Sequence, residues 1–228
     1  MVEEASAAGG AGSPSWQSLR SPDYNRDERS TSLQVVGIGY GRAANIATTG
    51  GSGLPVAEDG IMKDLLIIRH AKSSWAQEGL EDHERPLNPR GEKAAPEMGR
   101  RLARRGLVPE RLVVSSAVRA QQTAELLANV MGLNEDLVVT DPRGYVADAE
   151  DWLDVIQELP DELQRVGIVG HNPALHELAA HLVDLRVDKF PTAAIVHAGF
   201  EIDRWREVAR GTGTCVDFDY PKSGRDAD

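Results

Sequence analysis

Leu65-Leu66-Ile67-Ile68-Arg69-His70-Ala71-Lys72-Ser73-Ser74-Trp75 is the stretch on which the fold turns. Four consecutive aliphatic residues predict a strand over 65–69, buried on both faces as in the interior of a parallel sheet. The apolar run stops abruptly at an arginine and a histidine. In open parallel sheets, ligands bind just beyond the carboxyl ends of the strands. Arg69 and His70 stand at such an end, so the rest of the chain is read for groups that can meet them.

Working outward, strand and helix patterns alternate from Lys63 onward. Asn88-Pro89 predicts a helix start, with Asn88 as N-cap and Pro89 in the first helical position. That helix should run to about Arg105 and end at Gly106. Strands are predicted at 112–114, 137–139 and 166–169, and helices at about 117–131, 149–158 and 173–183. Residues 193–202 predict either two late strands or one long bent strand, and 214–219 an edge strand. This alternation predicts an α/β fold: a three-layer α/β/α sandwich with a mainly parallel central sheet.

Residues 1–62 differ. They are rich in Gly, Ser, Ala and Thr, and their apolar spot is Leu33–Ile38. Such a segment cannot bury enough surface to offset its ordering entropy, so a disordered N-terminal tail is expected. Gly37-Ile38-Gly39-Tyr40-Gly41 carries part of a dinucleotide-loop spacing. Arg42 breaks it and no helix pattern follows, so no nucleotide cofactor is expected. Met62, directly before the first strand, is a second candidate for the natural start. The folded domain is expected over 63–222, with a flexible C-terminus over 223–228.

Charge and cysteine content narrow the partners. A net charge of -11 argues against nucleic acid and against anionic membrane surfaces, which select basic proteins. The single cysteine, Cys215, rules out an intrachain disulfide and predicts a reducing, cytoplasmic compartment. No apolar run reaches the length of a membrane span, and the acidic start Met1-Val2-Glu3-Glu4 lacks a signal-peptide pattern.

Three strand-to-helix junctions carry the chemistry. The first holds Arg69-His70. The second is Ser115-Ser116-Ala117-Val118-Arg119-Ala120-Gln121-Gln122-Thr123, and the third Gly170-His171-Asn172-Pro173. In a parallel sheet all three lie at one end, so they can converge. Two arginines, two histidines and helix N-termini describe a pocket for a dianionic phosphoryl group, because arginine's planar fork matches phosphate oxygens in pairs.

The set R-H-A-K-S-S-W, R-P-L-N-P-R-G, V-S-S-A-V-R-A-Q-Q-T-A and V-G-H-N-P resembles the histidine phosphatase superfamily, also called phosphoglycerate-mutase-like. The short domain and the R-P-L and G-H-N-P versions resemble its SixA-type phosphohistidine phosphatase branch. The resemblance covers about residues 63–220. It implies a hydrolase in which His70 attacks phosphorus to give a phosphohistidine intermediate that water then hydrolyses. It implies that Arg69, Arg119 and His171 bind the phosphoryl oxygens and that neither metal nor cofactor is required. Ser73 matches a hydroxyl position that assists phosphate binding in many members. Arg85, on a loop facing the pocket, and Asn172 are further substrate-binding candidates. A neutral His70 is expected, since nearby arginine charge disfavours imidazolium.

Two departures are small: Ala71 stands where many members have glycine, and Ala117 where many have proline. A third is larger. Bigger members place a proton-donating carboxylate after the third strand, where this chain has only Asp141–Asp148. Asp148, Glu150, Asp82 and Glu84 are all candidates, and none stands out. An alcohol leaving group needs a proton donor; imidazole, with an unperturbed pKa of about 6.5, needs far less help. The expected substrate is therefore a phosphohistidine protein or a small phosphate compound. The competing readings are a small-molecule phosphomonoesterase and a non-catalytic phosphate-binding module.

Other features read as structure. His176 and His181 are five apart, about 140° around a helix, which does not suit one metal ion. His83 reads as surface, His197 as a packing residue with a satisfied partner, and Trp75 as packing the nucleophile loop. Arg100–Arg105 complements a helix C-terminus, with docking of an acidic partner as the sharper alternative.

Overall fold

The structure, a computed structural model, describes residues 62–76 and 79–224. Of the tail expected over 1–62, residues 1–61 lie outside the described residues, as do the last four residues of the expected flexible C-terminus, while Met62 already pairs in the first strand. Those described form a six-stranded sheet: β1 (Met62–Arg69), β2 (Arg111–Ser115), β3 (Val138–Asp141), β4 (Arg165–Gly170), β5 (Ile195–Glu201) and β6 (Gly213–Asp219). Four helices accompany it: α1 (Pro89–Arg104), α2 (Val118–Met131), α3 (Ala149–Gln157) and α4 (Ala174–Val183).

The strand order is β3-β2-β4-β1-β5-β6. β1, β2, β3 and β4 pair in parallel, while β5 and β6 are antiparallel additions on one side. The opening aliphatic run explains the layering. Leu65 and Ile67 join Trp152, Val155, Ile156, Leu175 and Leu178 of α3 and α4 in one buried cluster. Leu66 and Ile68 point the other way, into a second cluster with Met98 and Leu102 of α1 and Ala124 and Leu127 of α2. Period-two alternation in a strand with no polar face therefore yields helices on both sides. Each fully buried Leu or Ile contributes about 1.5–3 kcal/mol relative to exposure.

This arrangement places the site. β1 and β4 are neighbours, yet β1 leads to α1 on one face and β4 to α4 on the other. Adjacent strands whose connections diverge in this way leave a crevice at their carboxyl ends. Arg69 is in register with Gly170, and His70 N–H donates to the Gly170 carbonyl at 3.0 Å. His70 and His171 thus extend the two strands side by side.

Several local expectations resolve. Asn88 is the N-cap of α1, accepting from Arg90 and Gly91 N–H at 3.0 Å each. The late strand is single: β5 runs antiparallel to β1, and a register shift against β6 between His197 and Ala198 interrupts the pattern. His197 has its partner, Nε2 to Asp64 Oδ1 at 2.8 Å. In the Arg100–Arg105 run, Arg101 is buried against Glu97 and Asp219 at 2.7 and 3.0 Å. Arg105 pairs with Asp217 at 2.6 Å. Those two arginines are held by internal carboxylates, while Arg100 and Arg104 stay exposed.

Candidate active site

His70 is 8% exposed at the end of β1. Its Nδ1 lies 2.7 Å from the Ala71 carbonyl oxygen. A carbonyl can only accept, so Nδ1 carries the proton and Nε2 carries the lone pair. The loop that holds this ring is fixed by α2: Ala71 N–H donates to Thr123 Oγ1 at 3.0 Å, and Thr123 donates on to the Arg119 carbonyl at 2.6 Å. One turn away, Gln122 Oε1 accepts from Leu87 N–H at 2.8 Å. The polar face of α2 is thus aimed at the two loops that frame His70.

His171 sits 4.9 Å from His70, ring centroid to ring centroid. Its Nε2 is 2.8 Å from Ser115 Oγ at the end of β2, and Ser115 Oγ also accepts from Ala117 N–H at 3.4 Å. Ser115 thereby ties the second junction to the third. His70 is pushed down to about 3, first by burial, then by His171, Arg119 and Arg69, against a smaller opposing pull from the Ala71 carbonyl. His171 is pushed down to about 4, first by burial and then by Arg119. Both rings are neutral near pH 7.

Arg69 donates from Nη1 to the Phe190 carbonyl at 2.5 Å, and burial lowers its pKa. Asn172 Nδ2 donates to the same carbonyl at 3.2 Å. The N-cap of α4 is Pro173, without a side-chain bond. The peptide between them is cis. Arg69 Nε, His171 Nδ1 and Asn172 Oδ1 are buried without a hydrogen-bond partner. Unsatisfied buried polar atoms carry a desolvation cost, and here three fall in one crevice at the ends of β1 and β4.

Asp82 is the carboxylate that reaches this cluster. Its Oδ2 pairs with Arg119 Nη2 at 3.0 Å and its Oδ1 with Arg85 Nη1 at 2.7 Å. Tyr145 OH donates to Oδ2 at 3.3 Å. Burial pushes the Asp82 pKa up, but the hydrogen bonds and charges of Arg85 and Arg119 outweigh it, leaving the carboxyl below its usual value. Each nitrogen of Arg85 has a partner: besides Asp82, it donates to Ser74 O at 3.0 Å and to Ser73 Oγ at 2.9 Å. Ser73 and Arg85 are thus brought onto each other, as supports of the loop between β1 and α1.

The remaining acid candidates lie elsewhere. Asp148 caps α3 through Glu150 and Asp151 N–H, at 2.8 and 3.0 Å. Glu150 and Glu84 are exposed. Trp75, expected to pack the nucleophile loop, is instead 78% exposed. Arg85 stacks on its ring at 3.1 Å from the centroid, a contact that the motif alone could not reveal. His83 is not an idle surface residue: Nε2 is 2.9 Å from Ser116 Oγ, and its ring meets Tyr145 edge-on at 4.6 Å. Tyr145 escaped sequence reasoning because its short loop after β3 carries no periodic signal. Among the described residues no cluster of His, Cys, Asp or Glu could hold a metal ion. His176 contacts the Val187 carbonyl.

Two histidines and two arginines meet around one crevice, an arrangement able to hold a dianionic phosphoryl group. The profile of the histidine phosphatase superfamily, branch 1, matches residues 65–143. An uncharacterized Mycobacterium tuberculosis protein is 30% identical over 165 residues, which span 68% of this chain and 100% of that protein. The chain belongs to the histidine phosphatase superfamily. An uncharacterized chloroplast protein of Arabidopsis thaliana is 32% identical over 131 residues, 54% of this chain and 60% of that one. A solved structure from Agrobacterium tumefaciens, described as the phosphohistidine phosphatase SixA, is 27% identical with a TM-score of 0.60, covering 70% of this chain and 98% of that one. A protein histidine phosphatase SixA complexed with tungstate shares the fold, with a TM-score of 0.59 at 24% identity, covering 69% and 97%. The protein is a phosphatase, a hydrolase acting on phosphorus-containing bonds.

Proposed function

We propose that this phosphatase hydrolyses phosphohistidine, on a protein or a small compound, through a covalent phosphohistidine intermediate on His70. The observation that carries the substrate class is the state of Asp82. The carboxylate at the site is held ionised by two arginines, so it is poorly suited to donate a proton to an alkoxide. A phosphate ester needs such a donor; a departing imidazole needs far less help.

In the first step His70 Nε2 attacks phosphorus and a new N–P bond forms, while the bonding pair of the old N–P bond leaves with a substrate ring already protonated on its other nitrogen, so that neutral imidazole departs and His70, protonated on Nδ1, becomes the phosphohistidine. Arg69, Arg119 and His171 surround the phosphoryl oxygens and stabilise the charge that spreads over them. Arg119 must exchange its Asp82 partner for the phosphate in doing so. In the second step water attacks the phosphorylated His70 and releases inorganic phosphate.

The test is rapid-quench labelling with a radioactive phosphohistidine donor, set against turnover of a panel of phosphate esters. An acid-labile label lost in His70→Ala, with phosphohistidine the better substrate, is the expected result. Faster turnover of simple esters would overturn the substrate assignment, and a label that survives His70→Ala would overturn the nucleophile.

A further inference from the structure

Beside the nucleophile loop lies an open cleft of about 580 Å³, lined by four cations, Lys72, Arg90, Lys93 and Lys222, and one carboxylate, Glu97. Glu97 is already committed to Arg101 at 2.7 Å. Among the described residues none of the four cations forms an ion pair. Elsewhere in this acidic chain several exposed arginines are matched, Arg143 with Asp141 and Glu158, Arg186 with Asp184, Arg204 with Glu207, while Arg100, Arg206 and Arg210, unmatched among the described residues, do not line this cleft. A lone surface lysine is ordinarily just solvated. Four unmatched cations converging on one cleft, in a protein of net charge -11, depart from that pattern. Arg90 and Lys93 also lie near the start of α1, where the helix dipole disfavours positive charge. Glu92 in the same turn is a single acidic counterweight.

The cleft adjoins the phosphoryl site through two segments. Lys72 is two residues beyond His70, and its carbonyl accepts from Asn88 N–H at 2.9 Å, which links the nucleophile loop to the start of α1. On the other side, Pro191 follows Phe190, whose carbonyl holds Arg69 and Asn172. Pro191 and Tyr220 give the lining an apolar component. A chain leaving the phosphoryl pocket on this side would meet cations at the rim and apolar surface beneath.

We propose that this basic cleft beside His70 docks an acidic segment flanking the phosphorylated residue of a protein substrate. The proposal rests on the phosphatase reading above and adds the partner's chemistry. Cations drawn from the nucleophile loop, α1 and the segment after β6 suit several carboxylates strung along a polypeptide better than one compact anion. Their effect is mainly on encounter and on KM, and it weakens with salt, since exposed pairs are screened over about 8–10 Å.

The test compares two phosphohistidine peptides, one flanked by glutamates and one by serines, with the full chain and with a triple variant, Arg90→Glu, Lys93→Glu, Lys222→Glu. None of these residues belongs to the phosphoryl site. The unaltered protein should show a KM about ten-fold lower for the acidic peptide at low salt, from roughly three exposed pairs. The variant should lose that preference while its turnover of the serine-flanked peptide stays unchanged, which also reports that it is folded. Absence of the preference, or its survival in the variant, overturns the proposal. If neither peptide is turned over, the substrate assignment fails on its own. Docking is then read from inhibition of phosphate-ester turnover by the unphosphorylated acidic peptide. Inhibition that disappears in the variant supports the cleft, and no inhibition overturns it.

Discussion

Acidification should destabilise this protein by an amount set by its two active-site histidines. In the unfolded chain a histidine titrates near 6.5, whereas folded His70 lies at about 3 and His171 at about 4. Between these values the unfolded state binds more protons than the native one, so stability rises with pH and falls as pH is lowered from 6.5. At pH 5 the unfolded chain gains RT ln(1 + 10^1.5), about 2 kcal/mol, from protonating one such group, while the native state gains almost nothing. At pH 7 the same contribution is only about 0.2 kcal/mol. Asp64 and Asp82, whose pKa values are held below the ordinary carboxylate value, act at lower pH and leave this window to the histidines. The perturbation is His70→Asn, which never ionises and can still donate to the Ala71 carbonyl. The assay is urea unfolding at pH 7 and pH 5, followed by the fluorescence of buried Trp152 and Trp205. The unaltered protein should lose about 2 kcal/mol more than the variant over that interval. An equal loss in both would mean that folded His70 takes up a proton as readily as the unfolded residue, and the depression of its pKa by burial would be refuted.

Three further outcomes follow from the same geometry. Asp82→Asn should tighten binding of inorganic phosphate or tungstate about five-fold, since a half-exposed carboxylate competing for Arg119 is worth about 1 kcal/mol; calorimetric titration reads it, and weaker binding would contradict the competition. Gly91→Ala would place a Cβ inside the contact distance of the Lys72 carbonyl. The nucleophile loop must shift, so turnover should fall steeply alongside a stability loss of about 1–3 kcal/mol, checked by kinetics and denaturant melts. Asp219→Ala should cost about 1–3 kcal/mol in unfolding, because it removes one of two carboxylate partners of Arg101, whose side chain and that of Asp219 are each 5% exposed, while Glu97 remains; a loss below about 0.5 kcal/mol would show that the pair is relaxed in solution.

Layering and the strand end that carries the chemistry were legible in the order of residues alone. An aliphatic run ending in Arg69-His70, repeated strand-to-helix alternation, and polar residues at three junctions are local patterns. They fix a parallel sheet, its helices and the end at which ligands bind, because side-chain periodicity is dictated by backbone geometry. Asn88 as an N-cap was legible for the same reason. Only the tertiary structure decided which charges meet. That Asp82, rather than Asp148, reaches Arg119 depends on how the loop between β1 and α1 folds back, and no periodicity governs a loop. Tyr145, the stacking of Arg85 on Trp75, the withdrawal of Arg101 to Asp219 and the convergence of Lys72, Arg90, Lys93 and Lys222 on one cleft are all contacts across long sequence separation. Their energies come from distance, burial and screening, which are properties of the packed molecule and are absent from the order of its residues.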